Sequence, residues 1–247
     1  MASIIYFIMV EVKVFDSPTL IAKESAKLSL DILKSAIGQK GYAVWILAGG
    51  TTPLLAYKEI SDKYIKDLDW RRVYFLIGDE RSVAIDSPES NYRLINEALL
   101  SKVDLDRDKL ILPRYSEDNI SDADTYNLAV AKMFSNLGPE VDLLWLGMGE
   151  DGHTLSLFPG HQEINNQSRY VLPVNNAPKP PLERITLGLK ALSEVKHCQV
   201  LASGSLKKDA YLKVQQKDSN LPMAQVNNYL LKHGCKVQWL VDKELIS

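Results

Sequence analysis

Residues 44–53, with the sequence VWILAGGTTP, join a wholly apolar run to a polar turn that contains two glycines. An apolar residue at every position of 44–48 is typical of a strand buried on both faces of a parallel sheet. Because Pro53 suits the first turn of a helix, the stretch predicts a strand, a glycine turn and a helix in succession. This unit indicates the class of fold.

The same order of elements recurs along the chain. Apolar residues at helical spacing predict two long helices, the first ending at Gly38 and the second starting at its N-cap Asp122 and stopping at Gly138. Alternating strands and helices predict a single α/β domain over residues 1–247, a doubly wound, mostly parallel sheet with helices on both faces. The other predicted strands are 10–15, 73–77, 141–146, 199–202 and 237–241, and the helices are 18–37, 122–137, 205–214 and 223–231.

Composition and charge exclude several classes of protein. The 247 residues include 29 Lys and Arg against 31 Asp and Glu, so there is no basic excess to bind a nucleic-acid backbone. The apolar run 4–10 is too short to cross a membrane and lacks the preceding positive charge of a secretion signal. We therefore expect residues 1–9 to form a short N-terminal extension. Cys198 and Cys235 lack metal-ligand spacing and are too few for a disulfide scaffold, which favours reduced thiols in a cytoplasmic enzyme.

Four polar turns follow predicted strands at their carboxyl ends. They cover residues 49–53, 78–81, 147–153 and 203–205, and each contains glycine. In open parallel sheets, ligands bind outside the carboxyl ends of the strands. We therefore expect the four turns to converge on one functional site.

Residues 147–152 match the glycine pattern of dinucleotide sites, but their surroundings argue against one. No Asp or Glu occurs between Glu163 and Glu183, where the ribose-binding carboxylate belongs, and Pro159 interrupts any helix early. There is no P-loop either. The turn 49–53 precedes a predicted helix N-terminus and suits a phosphate, or it is a plain connection capped by threonine.

Asp151 and His153 flank one glycine in the turn that follows the strand 141–146. A neutral imidazole accepts a proton near pH 7, and a neighbouring carboxylate orients and supports it. The chain has no nucleophile elbow, and Cys198 lies inside an apolar run, so we expect a base that activates water. A metal held by His153 and His161 would need a third ligand that no standard spacing supplies, and none is expected.

Cations accompany the same turns. Lys207 is expected at the start of a helix, where a cation opposes the helix dipole unless an anion lies beside it. Lys179 and Arg184 are expected on a stiff, proline-rich loop, and Arg81 lies in the turn 78–81. Solvated surface charge explains a single lysine, but several cations beside glycine turns favour a phosphate ligand.

Together these segments resemble the 6-phosphogluconolactonase family, within the glucosamine/galactosamine-6-phosphate isomerase superfamily. The resemblance implies hydrolysis of 6-phospho-D-glucono-1,5-lactone to 6-phosphogluconate in the oxidative pentose phosphate pathway, with no cofactor or metal. The most specific segment is DGHTLSLFP at 151–159, and the others, in family order, are 48–53, 78–81 with 90–92, 178–181 with 184–186, and Gly204 with Lys207.

The resemblance also implies roles for individual residues. His153 would be the general base, Asp151 its partner, and Arg81 a contact to substrate oxygens and a candidate to stabilise the oxyanion. The substrate and phosphate side would comprise Gly49, Gly50, Thr51, Asp79, Lys179, Arg184 and Lys207.

Two alternatives stay open. The similar glucosamine-6-phosphate deaminases carry Tyr where this chain has Arg81, and Glu where it has Phe158. Both differences favour the lactonase. At the second position, phenylalanine cannot polarise histidine or relay a proton. The second alternative is a non-catalytic sugar-phosphate sensor, against which the intact Asp151 and His153 argue. The oligomeric state stays open.

Overall fold

The computed structural model describes residues 10–247, and the expected extension over residues 1–9 lies outside this range. The strands are β1 (Val10–Phe15), β2 (Ala43–Leu47), β3 (Val73–Ile77), β4 (Asp79–Arg81), β5 (Leu110–Ile111), β6 (Val141–Leu146), β7 (Val171–Val174), β8 (Arg184–Leu187), β9 (Val195–Ala202) and β10 (Lys236–Asp242). The α-helices are α1 (Pro18–Lys40), α2 (Thr51–Lys63), α3 (Asn91–Ile95), α4 (Asn119–Leu137), α5 (Lys208–Val214), α6 (Pro222–Lys232) and α7 (Lys243–Ile246).

A seven-stranded sheet in the order β1-β10-β9-β6-β2-β3-β5 forms the centre of the fold, and every neighbouring pair is parallel. Both β2 and β6 are buried at every position, as their apolar runs predict. One core packs Trp45, Tyr57 and Phe75 beneath α1 and α2, and another packs Tyr126 and Trp239 on the α4 and α6 side. Helices therefore cover both faces, and the predicted fold class is confirmed.

Two predicted helix ends were wrong by about one turn. α1 continues through Gly38 to Lys40, because the left-handed residue that ends it is Gly41, with φ 85° and its N–H bonded to the Ile37 carbonyl at 2.9 Å. α4 starts one turn before Asp122. Its N-cap is Asp118, whose carboxylate accepts from two N–H groups of the first turn, whereas Asp122 is buried.

A second, three-stranded antiparallel sheet in the order β4-β8-β7 was not predicted. Residues 79–81, expected as part of a turn, form β4, and Arg184, expected on the proline-rich loop, opens β8 opposite Arg81. Polar residues dominate β4, so no apolar run marks it in the sequence. This sheet brings Arg184 to the edge of the main sheet.

The main sheet changes winding direction between β2 and β6. From β2 the chain continues to β3 on one side, whereas from β6 it continues to β9 on the other. Ligands bind at such a switch point, outside the carboxyl ends of the strands. The turns after β2 and β6 contain the predicted glycine turn and the Asp-Gly-His segment. Within residues 10–247, no helix is both long enough and apolar enough to cross a membrane.

Candidate active site

A cleft of about 320 Å³ opens at this switch point. It receives side chains and backbone from the turns after β2 and β6, from β4 and β8, and from the turn before α5. Asp151 lies behind His153 and is the one predicted site residue that does not line the cleft. The other nine do: Gly49, Gly50, Thr51, Asp79, Arg81, His153, Lys179, Arg184 and Lys207.

The imidazole of His153 is held by Asp151. Oδ1 of Asp151 lies 2.5 Å from Nδ1 of His153 and also accepts the His153 backbone N–H at 3.1 Å. Since Nδ1 is engaged, Nε2 is the ring nitrogen left to exchange a proton with a ligand or water. The His153 side chain is 27% exposed, so water reaches it.

Burial alone would raise the pKa of Asp151, but the hydrogen bond and charge of His153 lower it to about 2. The carboxylate therefore stays ionised throughout the neutral range. An ionised partner at Nδ1 stabilises the imidazolium that forms when Nε2 accepts a proton.

A tight turn brings these two side chains together. The Gly149 N–H donates to the His153 carbonyl at 2.9 Å, and Gly152 has a φ of 80°, in the left-handed region that favours glycine. A β-carbon on Gly149 would lie 2.1 Å from two atoms of the imidazole. The glycines of this segment thus allow Asp151 and His153 to approach each other. The helix that a dinucleotide site would need does not follow them.

Phe158 packs against the other side of the histidine. Its ring centroid lies 4.8 Å from that of His153, and the residue is 3% exposed, as expected. The guanidinium carbon of Arg184 lies 5.4 Å from the same ring. The same apolar ring therefore lies close to the imidazole of His153 and to the guanidinium of a buried cation.

Arg184 and Lys207 form no direct ion pair in the part of the chain that the structure describes. Within residues 10–247, neither lies within 4.0 Å of a carboxylate oxygen, and Arg184 instead donates to the Pro181 and Lys179 carbonyls, each at 3.1 Å. Burial lowers the pKa of both groups. The more exposed Lys179 does have a partner, Glu150, at 3.8 Å. An anion in the cleft would give these two cations the direct partner that residues 10–247 do not supply.

The amino terminus of α2 adds donors to this side. Gly50 precedes the helix with φ 102°, and its glycine turn leaves the first N–H groups of α2 without a side-chain cap. Thr52 Oγ1 lies 2.9 Å from Ser203 Oγ, which ties this turn to the one after β9. Free N–H groups at a helix start favour a bound anion.

Side chains alternate between the two faces of β4, which explains why its three successive charged residues do not all point to the cleft. Asp79 and Arg81 project to the cleft, while Glu80 is 8% exposed on the opposite face. Ser156 donates to Oδ2 of Asp79 at 2.6 Å. Burial raises the pKa of Glu80, against the lowering effect of three backbone N–H bonds.

Sequence reasoning missed the roles of Asn91 and Glu80. Asn91 is 2% exposed, lines the cleft and donates from Nδ2 to the Asp79 carbonyl at 2.8 Å. The alternation of β4, had it been recognised as a strand, would have predicted that Glu80 faces away from Asp79 and Arg81. In residues 10–247, no group of three or more His, Cys, Asp and Glu side chains is arranged to hold a metal ion.

Comparison with known proteins gives the family. The family model described as "Glucosamine-6-phosphate isomerases/6-phosphogluconolactonase" matches residues 16–233. The chain belongs to this family. A chloroplastic 6-phosphogluconolactonase 3 of Arabidopsis thaliana is 30% identical, over 96% of this chain and 74% of that protein. The solved 6-phosphogluconolactonase of Trypanosoma brucei is 27% identical with a TM-score of 0.81, over 95% of this chain and 97% of that one.

A monomeric glucosamine-6-phosphate deaminase has the same fold, with a TM-score of 0.77 and 21% identity over 95% of this chain and 98% of that one. At this identity the likeness shows the fold alone. Within this family, therefore, the fold does not separate the two activities, and the side chains around the cleft have to do so.

Proposed function

We propose that this chain hydrolyses 6-phospho-D-glucono-1,5-lactone to 6-phosphogluconate, in the oxidative pentose phosphate pathway. One observation carries the proposal: the Asp151–His153 pair, with 2.5 Å between Oδ1 and Nδ1, opens into a cleft that also contains Arg81, Arg184 and Lys207, three cations that form no ion pair in residues 10–247. A base suits the hydrolysis of an ester and an anion site suits a phosphate group, so the cleft fits a phosphorylated ester. The lactonase names of its relatives support the same substrate.

The base would be His153, acting through Nε2. It takes a proton from water as the water oxygen bonds to C1, and the carbonyl oxygen of the lactone becomes an oxyanion. The oxyanion then re-forms the carbonyl as the bond from C1 to the ring oxygen breaks. The imidazolium gives its proton to that leaving oxygen, so the base of the first step is the acid of the second.

Arg81 would contact the substrate oxygens and stabilise the oxyanion. It lies on the same strand as Asp79, and both line the cleft. Donors aimed at a developing negative charge act most strongly where water is excluded. The backbone N–H groups of Glu150 and Asp151 are the second candidates for this role, because those of Gly149 and Gly152 donate within the turn to the carbonyls of His153 and Gly149.

The phosphate would bind between α2 and the cations. We assign it to the turn of Gly49, Gly50 and Thr51 with Lys207 and Arg184, because this side combines helix N–H groups with unpaired positive charge. Lys179 reaches the same cleft from its loop and would add a contact at the mouth. Asp79, held by Ser156, would accept from a sugar hydroxyl.

Phe158 supports the lactonase over the deaminase. Similar deaminases carry glutamate at this position, where it supports the catalytic histidine. Here a buried ring covers the histidine and offers no group that can exchange a proton. The geometry accordingly favours hydrolysis of a reactive ester over deamination of an aminosugar phosphate.

A coupled assay that follows 6-phosphogluconate release tests the function, with glucosamine 6-phosphate run in parallel. We expect turnover of the lactone above its spontaneous opening and no ammonia from the aminosugar. Ammonia release without lactone turnover would reverse the assignment, and binding of 6-phosphogluconate without turnover of either compound would indicate a sensor.

We also propose that the whole chain acts as one domain and works in the cytoplasm. Cys198 and Cys235 are buried free thiols, a state that a reducing compartment maintains. Fractionation of cells that express the tagged, full-length chain tests the location, and recovery in a membrane or secreted fraction would contradict it.

A further inference from the structure

Behind the cleft, Glu80 carries a buried carboxylate that is held by hydrogen bonds alone. Oε1 accepts the N–H groups of Arg81 at 2.8 Å and Asn91 at 2.7 Å. Oε2 accepts the N–H of Tyr92 at 2.7 Å and the hydroxyl of Ser90 at 3.1 Å. Within residues 10–247, no cation forms an ion pair with it. A carboxylate offers only acceptors and satisfies four donors, whereas the amide of glutamine would turn an N–H₂ group toward two of them.

These donors belong to the segments that carry two cleft residues. Arg81 follows Glu80 on β4, and its Nη1 donates to the Glu89 carbonyl at 2.5 Å, just before the segment that Glu80 binds. Asn91 opens α3, and a β-carbon on Gly49 would lie 2.0 Å from its Oδ1. The carboxylate thus fixes Asn91 against the glycine turn. It also holds both the backbone of Arg81 and the segment that anchors its guanidinium.

We propose that Glu80 is a positioning residue, which sets Arg81 and Asn91 in the geometry that the reaction requires. A residue that only capped the short helix α3 would accept hydrogen bonds only at the start of that helix. Ser90 already serves there as a cap, because it accepts the Arg93 N–H at 3.1 Å. The bond from Glu80 to the Arg81 N–H lies outside α3. It links the strand that carries Arg81 and Asp79 to the segment that carries Asn91.

The structural test does not depend on any activity. Crystal structures of the wild type and of Glu80→Gln, with Glu80→Asp as a milder variant, report the positions of Arg81 and Asn91. We expect the guanidinium or the Asn91 amide to shift by about 1 Å or more, and the Asn91 bond to the Asp79 carbonyl to lengthen or break. If both side chains keep their wild-type positions in a folded variant, the proposal is wrong.

The kinetic test rests on the proposed function and uses a mutant cycle. Residues that orient the ligands of catalytic metals typically contribute about 10- to 100-fold to activity, and by analogy we expect Glu80→Gln to lower kcat within that range with a smaller change in KM. In a background that carries both Arg81→Ala and Asn91→Ala, the same change should cost no more than about threefold, because its effect passes through these two side chains. Equal losses in both backgrounds would overturn the proposal. Absence of lactone turnover in the wild type would instead overturn the proposed function and leave the crystallographic test to judge Glu80.

Asp122→Asn is the matched control. Asp122 is also a buried carboxylate, and it accepts the backbone N–H and the hydroxyl of Ser116, each at 2.8 Å, away from the cleft. This variant should lower the melting temperature and keep the wild-type kcat. If Glu80→Gln behaved in the same way, with stability lost and kcat kept, its role would be merely structural and the proposal would fail.

Discussion

Cations at the two ends of the parallel sheet differ in their hydrogen-bond and ion-pair partners. At the amino ends of the strands, Nζ of Lys40 lies 2.8 Å from Glu140 and 2.9 Å from Asp142, whose other oxygen accepts the Val44 N–H. At the carboxyl ends, Lys207 has no carboxylate within 4.0 Å among residues 10–247, and Arg184 donates only to carbonyls. At the amino end the lysine contacts carboxylates directly, whereas at the carboxyl end neither Lys207 nor Arg184 does so within residues 10–247.

Under the proposed function, the difference separates charges that stabilise the fold from charges that would bind the substrate. Burial lowers the pKa of Lys207. Burial acts in the same sense on Lys40, but the bonds to Glu140 and Asp142 outweigh it and raise the pKa of that lysine. A desolvated, unpaired cation costs folding free energy. Its presence in the cleft is best explained by an anion that binds there.

The largest effect is expected at His153, the proposed base at the carboxyl end. His153→Ala should leave folding and phosphate binding intact and lower kcat by about 10²- to 10⁴-fold, the usual contribution of a positioned general base. The assay must subtract spontaneous opening of the lactone, and His233→Ala, at the exposed end of α6, is the control. Corrected turnover within a few-fold of wild type would remove His153 from the mechanism.

The second largest effect is expected at the unpaired cations and concerns substrate binding. Arg184→Ala and Lys207→Met should raise KM by about 10- to 150-fold with a smaller effect on kcat, because a charge-assisted contact contributes roughly 1.5–3 kcal/mol and persists through the reaction. Inorganic phosphate should compete with substrate in the wild type and less in the variants. Losses in kcat at unchanged KM would instead place these side chains in the chemical step.

At the amino end, the same kind of substitution should change stability and not activity. Lys40→Met removes the cation that balances Glu140 and the buried carboxylate of Asp142, and we expect a loss of roughly 1–2 kcal/mol of unfolding free energy, since the site is partly solvated. Lys207→Met should be neutral or stabilising. Urea denaturation of both variants beside the wild type measures the contrast, and equal destabilisation would show that the two ends do not differ as described.

The smallest effect concerns alkaline pH and has opposite signs at the two ends. The pKa of Lys40 is raised on folding, so its stabilising contribution is present below the unfolded pKa and is lost as the pH rises through the folded value. The pKa of Lys207 is lowered, so the unfolded chain binds more protons and stability rises with pH between the two values. Above about pH 10.4, the unfolded pKa of lysine, Lys40→Met should therefore flatten the loss of stability with pH, and Lys207→Met should steepen that loss in the range just below it. Parallel curves for both variants and the wild type would contradict this assignment of signs.

Buried strands were the most predictable part of the fold. The runs at 44–48, 73–77 and 141–146 contain so few polar residues that only a strand covered on both faces suits them, and their carboxyl ends then predict the position of the cleft. The helix ends were less predictable. Gly38 and Asp122 are suitable cap residues, but other residues nearby, Gly41 and Asp118, take these positions.

The site was predictable where a motif is continuous and unpredictable where it depends on the small sheet. Asp151 and His153 lie two positions apart, so a local turn suffices to bring them together. The approach of Arg184 to Arg81 depends on the pairing of β4 with β8, two strands of three and four residues that are far apart in the chain. The burial of Glu80 follows from the same pairing of β4 with β8, which no local sequence pattern predicts.

Gly149 makes the turn around His153 uneven in its tolerance of mutation. The imidazole and the Asp151 carboxylate occupy the space where any larger residue would place its first side-chain atom, at 2.1 Å and 2.7 Å. Randomised libraries across residues 147–153 should therefore return active clones that retain glycine at 149, whereas Glu150, with a half-exposed side chain in the same cleft, should vary. An engineer who wants a different phosphosugar lactone to bind has in residue 150 a position that alters the mouth of the cleft and leaves the proton-transfer pair assembled.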